Sequence, residues 1–142
     1  MENFEFLEHT ADLKFKAFGK TMQECFANSG KALTQSICEL SAIKPKTSKA
    51  VELDAENSEE LLHKFLEEIL FEMQVEGMLS CSFELKIGES KNGWMQLQGK
   101  MAGEKIEDKR HEIKADVKAI TWNEFYLKKT AQGWEMQAIV DV

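Results

Sequence analysis

The sequence is poor in proline and cysteine and contains no long apolar run. Its one proline, Pro45, marks a loop between two patterned segments. Three cysteines, widely spaced and without a CxxC pair, argue against a disulfide framework or a zinc knuckle, so we expect reduced and mostly buried thiols. No apolar run is long enough to span a bilayer, and the N-terminus shows no signal-peptide pattern. The sequence therefore predicts a cytoplasmic protein that does not engage a membrane.

Positive charge is also scarce. The 142 residues contain 18 lysines and arginines against 25 aspartates and glutamates, a formal net charge of -7. Neutralising nucleic-acid phosphates requires a surplus of cationic side chains on at least one face, so broad nucleic-acid binding is not expected. A protein partner or a small cation suits this balance better. The length predicts a single domain over residues 1–142.

Hydrophobic periodicity predicts two helices and several strands. The helices are expected from about Met22 to Cys38 and from about Asn57 to Glu76. Thr21 with Glu24, and Asn57 with Glu60, have the spacing of helix-capping boxes. Gly77 is placed to end the second helix. Strands are expected over residues 4–7, 13–18, 48–53, 79–87, 95–101, 117–122, 125–129 and 134–142, with an Asn-Gly turn joining the fourth and fifth as an antiparallel hairpin.

Three further expectations come from local context. Gly30 lies on the apolar face of the first helix, where it would let another backbone approach closely. His63 falls one position off the apolar stripe of the second helix, which is typical of a surface or boundary residue. The densely charged segment Gly103–Glu112 predicts a solvated connection without a specific role.

Two aspartates stand at opposite ends of the chain, in FEFLEHTADLKFKAFG and in the closing IVDV. Strand alternation places Asp12 with Lys14 and Lys16, and Asp141 away from the expected core face. If their strands are neighbours, the two carboxylates and a carbonyl oxygen of Val142 would form an all-oxygen site of the kind that Ca2+ or Mg2+ prefers. If they are not, the residues are two solvated strand-end aspartates. Spacing leaves both interpretations open.

Catalytic motifs are weak. His9, His63 and His111 lack any metal-binding spacing, and no GxSxG or Walker-type loop occurs. Glu8, His9 and Thr10 beside Asp12 have the residue types of an acid–base cluster, but the sequence identifies neither a nucleophile nor a pocket. A small metal-dependent hydrolase remains an alternative.

Four blocks in this order, EHTAD, RHEIK, KAIT and the terminal DV, give the chain a resemblance to the archease family over essentially its whole length. Archeases are accessory proteins of the GTP-dependent tRNA-splicing ligase of the RtcB type. The resemblance implies that the chain promotes guanylylation and multiple turnover of that ligase, broadens its nucleotide use, and has no enzymatic activity of its own. A general chaperone or modulator of protein function is the other alternative.

The resemblance also implies a divalent metal site formed by Asp12, Asp141 and the main-chain oxygen of Val142, with Ca2+ as the first candidate and Mg2+ or Mn2+ as others. It associates Arg110 with activity, at a position where a lysine is common, and makes His9 and His111 further candidates. Trp122-Asn123 stands where Tyr-His is common. The predicted fold is a single α+β domain, a mostly antiparallel sheet with two helices packed on it, in which the first and last strands bring Asp12 and Asp141 together.

Overall fold

The computed structural model describes residues 3–7, 12–107 and 109–142. The described part contains two α-helices, one 3-10 turn and eight strands. In chain order they are β1 (Phe4–Leu7), β2 (Leu13–Gly19), α1 (Met22–Ile37), a 3-10 turn (Leu40–Ala42), β3 (Thr47–Ala55), α2 (Ser58–Glu76), β4 (Met78–Glu89), β5 (Met95–Lys105), β6 (Ala119–Ile120), β7 (Tyr126–Thr130) and β8 (Gly133–Asp141). None of the helices in this part is long and apolar enough to cross a membrane.

The strands form two antiparallel sheets. The first has the order β1-β2-β8-β6, and β7 pairs with β8 as well. β2 occupies one edge of β8, so β6 and β7 share the other edge. β6 pairs with residues 140–141 of β8, and β7 pairs with residues 133–137 of β8. The second sheet has the order β3-β5-β4. The predicted α+β fold with two helices on antiparallel strands is confirmed, with the strands divided between two sheets.

Both helices begin where their capping residues predict, and α2 ends at the predicted glycine. The Thr21 hydroxyl accepts the Glu24 N–H at 3.1 Å, and Asn57 Oδ1 accepts the Glu60 N–H at 2.9 Å. These bonds satisfy donors that the first helical turn leaves without a partner. Gly77 ends α2 with φ 67°, a left-handed conformation that costs glycine little.

The core lies between the helices and the sheets. Phe26 of α1 and Phe65 of α2 have ring centroids 5.9 Å apart, and Phe65 meets Phe83 of β4 edge-on at 5.5 Å. Phe15 of β2 is fully buried in the same cluster. The helices therefore join the two sheets into one core.

Gly30 does permit a close approach, but the group that approaches is a side chain rather than a backbone. A Cβ at this position would lie 2.8 Å from the Phe83 ring and 3.0 Å from Ile69 Cδ1. The sequence identified the right position and the wrong kind of neighbour, because helical periodicity gives no information about what packs opposite a face.

Two local expectations are wrong. Residues 103–105 belong to β5, and Glu104 and His111 are buried, so the charged segment is not simply a solvated connection. His63 is also buried, at 3% exposure. In both cases a contact from a segment distant in sequence covers the side chain.

Candidate functional site

The two aspartates are carried by neighbouring strands. β2 pairs antiparallel with β8, and Leu13 lies opposite Val140. Asp12 immediately precedes β2, and Asp141 is the last residue of β8. Extending the register by one residue sets position 12 opposite position 141. The last strand therefore pairs with the second strand and not, as predicted, with the first, because β1 lies at the edge of the sheet beyond β2. Asp12 precedes this second strand, so the neighbouring strands that the metal-site prediction needs are present; the ligands themselves stay a prediction.

The main chain around Asp141 is held by the strand on its other side. Ala119 of β6 is its sheet partner, and the Asp141 carbonyl oxygen accepts the Lys118 N–H at 2.7 Å. Asp141 and Val142 are exposed, and Asp12 is partly exposed. We call positions 12, 141 and 142 the acidic edge.

The donor chemistry of the acidic edge suits a hard cation. Its side-chain donors would be two carboxylates, and Val142 would add a main-chain oxygen. Within residues 3–7, 12–107 and 109–142, no three His, Cys, Asp or Glu side chains come together as a metal-binding group. The use of the Val142 main-chain oxygen as a third ligand stays a prediction.

A turn at residues 121–125 lies beside the acidic edge. Lys14, on the face of β2 that Asp12 shares by alternation, makes a 3.1 Å ion pair with Glu124. Gln137 of β8 donates to the Glu124 carbonyl oxygen at 2.8 Å. Glu124 adopts φ 55°, which is uncommon for a residue with a side chain. The two contacts hold this turn against the outer face of the first sheet.

A second polar cluster surrounds the buried carboxylate of Glu104. Oε2 accepts the Lys44 N–H at 2.6 Å and the His111 ring N–H at 3.2 Å. Arg110 donates to both carboxylate oxygens, and Lys46 Nζ lies 3.5 Å from Oε1. The Arg110 hydrogen bonds are the largest contribution that lowers the pKa of Glu104. The cluster therefore ties residues 44–46 and 110–111 to the end of β5.

The hydrogen bonds of His111 define its tautomer. Nδ1 accepts the Glu107 N–H at 2.9 Å, so it carries no proton. Nε2 then carries the ring proton and donates to Glu104. His111 is thus a neutral structural contact inside the cluster. Arg110 donates hydrogen bonds to Glu104 and Glu107, and its side chain is partly exposed beside His111.

His63 forms a third arrangement, between α2 and the turn at residues 121–125. Its ring stacks on Trp122 with centroids 3.8 Å apart and planes at 5°, and Phe125 meets it edge-on at 4.9 Å. Nδ1 lies 3.1 Å from Glu67 Oε1, and Nε2 lies 3.3 Å from the Thr121 carbonyl oxygen. The stack fixes the orientation of the exposed Trp122 ring.

The predicted residues thus fall into two groups. Asp12, Asp141 and Val142 share the acidic edge, whereas Arg110 and His111 belong to the Glu104 cluster. His9 lies outside the described residues. Sequence reasoning missed Glu104, which stands in a run of charged residues and carries no pattern that marks it as buried.

Comparisons with known proteins identify the family of this chain. The Archease protein family (MTH1598/TM1083) matches residues 4–142. The protein named archease of Pyrococcus furiosus is 36% identical over 143 residues and covers 100% of both chains. That of Methanosarcina mazei is 33% identical over 141 residues, 99% of this chain and 97% of its own length.

Solved structures share the fold. The solution structure of protein 1598 of Methanobacterium thermoautotrophicum covers 100% of both chains with a TM-score of 0.87 and 29% identity. An archease of Thermotoga maritima, described as a possible chaperone, has a TM-score of 0.58 at 15% identity, which shows similarity of fold only. The family match extends over nearly the whole sequence, and two relatives exceed 30% identity with at least 97% of each chain covered. The chain therefore belongs to the archease protein family.

Proposed function

We propose that this chain is an accessory protein that activates a GTP-dependent tRNA-splicing ligase of the RtcB type and has no enzymatic activity of its own. It promotes guanylylation of the ligase, allows repeated turnover and broadens the nucleotides used. The observation that supports this proposal is the pairing of β2 with β8, which aligns Asp12 and Asp141 in a chain of the archease family.

In this proposal the acidic edge is the site that activates the ligase. Asp12, Asp141 and the main-chain oxygen of Val142 would hold a divalent cation, Ca2+ first and Mg2+ or Mn2+ as alternatives. A bound cation would supply positive charge for the phosphate oxygens of a nucleotide. β2 and β6 flank β8 and keep Asp141 in place, so the chain can present its carboxylates to a partner without reorganising.

The partner is a protein rather than bare RNA in this proposal, since a net charge of -7 disfavours phosphate binding. The compartment is the cytoplasm. Cys25, Cys38 and Cys81 are all free thiols, as expected where disulfides are kept reduced.

A chaperone is the second candidate. Phe71, Val75 and Trp122 expose large apolar side chains, and one structural relative is described as a possible chaperone. This function predicts binding to many unfolded proteins. Capture of several unrelated denatured clients, with no preference for the ligase, would favour it.

A ligation assay with limiting cognate ligase tests the main proposal. The wild-type chain should convert a single turnover into many, and Asp12→Ala and Asp141→Asn should each remove most of that stimulation. Asp54→Ala is the matched control, because Asp54 is an exposed strand aspartate on the other sheet. Reactions without ligase, with Ca2+, Mg2+ or Mn2+, check for the hydrolase alternative.

Circular dichroism and thermal unfolding establish that each variant is folded. Full stimulation by a folded Asp12→Ala chain would refute the role of the acidic edge. Absence of stimulation by the wild-type chain would refute ligase activation itself.

A further inference from the structure

A shallow groove runs between α2 and the segment that contains β6. Its walls are formed by Glu67, Phe71 and Gln74 on α2 and by residues 118–120 on the other side. Trp122 lies beyond one end, where it stacks on His63. Val75 lies one helical turn after Phe71, on the same face of α2. We call this feature the α2–β6 groove.

The walls of the groove are cross-linked at both ends. Gln74 Nε2 donates to the carbonyl oxygens of Val117 and Lys118 at 3.3 and 3.4 Å. At the other end, His63 Nε2 lies 3.3 Å from the Thr121 carbonyl oxygen. The space between the two links is therefore formed before any partner arrives, which reduces the ordering cost of binding.

Large apolar side chains are concentrated along this feature. Phe71 is 45% exposed, Val75 is 64% exposed and Trp122 is 55% exposed. The Trp122 ring is also held in one orientation by His63 and by Phe125, whose centroid lies 5.2 Å away. Tryptophan is one of the residue types enriched among the residues that dominate the binding energy of protein interfaces.

The size of the groove indicates what it can bind. Its volume of about 210 Å³ is below the roughly 300 to 1,000 Å³ of small-molecule sites. A single side chain of another protein fits this space better than a metabolite does.

Charge indicates the chemistry of the partner. Glu67 lies on the groove with its side chain 57% exposed. Asp116 is exposed next to the same segment, where Lys118 is the neighbouring cation. An acidic surround attracts a partner segment rich in lysine and arginine.

The groove is continuous with the acidic edge, because Ala119 on its wall is the sheet partner of Asp141. We propose that the α2–β6 groove docks an apolar side chain carried on a basic segment of the ligase, beside the acidic edge. This inference rests on the proposed function. It assigns binding to the groove and activation to the edge.

The division of roles is tested by titrating purified cognate ligase with each variant and measuring two quantities, the half-saturating concentration and the maximal stimulation. The double variant Phe71→Ser, Val75→Ser should raise the half-saturating concentration by about tenfold while leaving the maximum unchanged. Glu67→Lys should raise it as well. Asp141→Asn should lower the maximum and leave the half-saturating concentration nearly unchanged.

Matched controls lie on the second sheet. Trp94→Ser removes an exposed aromatic residue between β4 and β5, and Glu84→Lys reverses an exposed charge on β4. Both should leave the half-saturating concentration within about twofold of wild type. Equal losses in the groove and control variants would show that binding has no preference for the groove and would overturn the inference.

Other outcomes separate the inference from the proposed function. If the wild-type chain stimulates the ligase and the double variant does so at an unchanged half-saturating concentration, the groove proposal is wrong and the proposed function stands. If the wild-type chain does not stimulate the ligase, the proposed function fails first. If sedimentation shows that the wild-type chain is a dimer and that the double variant is a monomer, a second copy of this chain occupies the groove. That result would overturn the assignment of the groove to the ligase.

Discussion

Replacing Gly30 by alanine tests how the two helices and β4 pack together. Gly30 lies in the middle of α1, on the face that meets Phe83 and Ile69. A methyl group there would come within 2.8 Å of two Phe83 ring atoms. The aromatic ring cannot bend away as a flexible chain end can, so either the helix or the strand must move.

Two effects of opposite sign determine the result. Alanine is favoured over glycine inside a helix by about 1 kcal/mol. Overpacking a filled core costs about 1 to 3 kcal/mol. We expect Gly30→Ala to lower the free energy of unfolding by about 1 kcal/mol, and the midpoint of thermal unfolding by about 3 °C.

Urea and thermal unfolding of Gly30→Ala measure this change. Gly88→Ala is the control, because nothing lies within 4 Å of its added Cβ, and it should cause no loss of stability. In a Phe83→Leu background the clash should be relieved, so that Gly30→Ala becomes neutral or stabilising. A stabilisation of about 1 kcal/mol by Gly30→Ala in the otherwise wild-type chain would refute the packing described here.

Three other predictions concern titration, thiol chemistry and capping. The Arg110 contacts lower the pKa of Glu104, so its charge stabilises the fold above the ordinary glutamate pKa of 4.5 and this contribution is lost as the pH falls. In urea unfolding, the stability gap between wild type and Glu104→Gln should therefore shrink below that pH; a constant gap would contradict it. Burial raises the pKa of the Cys25 thiol to about 12. Mass spectrometry should therefore detect labelling of Cys25 by a thiol reagent only after the chain is unfolded. Asn57→Ala should cost about 1 kcal/mol of unfolding free energy, and no change would mean that this cap is dispensable.

Local structure followed closely from the sequence. α1 and α2 begin after Thr21 and Asn57, where the predicted caps accept the expected amide groups. The hairpin between β4 and β5 turns over residues 90–93, with Gly93 of the Asn-Gly step at φ 86°. Capping, turn formation and side-chain alternation depend on residues a few positions apart. Their physical causes are therefore contained in short stretches of sequence.

The acidic edge was only partly predictable. Alternation placed Asp12 and Asp141 off the core face, and the family resemblance linked them. That their strands are neighbours is a property of the order β1-β2-β8-β6, in which the last strand inserts beside the second. Pairing between the ends of a chain depends on loop closure and on the shape of the whole core, which no local pattern records.

The sequence by itself determined the helices, most of their caps, most strands and the family resemblance. Tertiary structure decided which polar groups are buried. Glu104 is covered because Lys44 and Arg110 come to it from two different segments, and His63 because Trp122 stacks on it from across the groove. A charged or polar side chain can be buried only where partners satisfy it, and those partners come together only when the chain has folded.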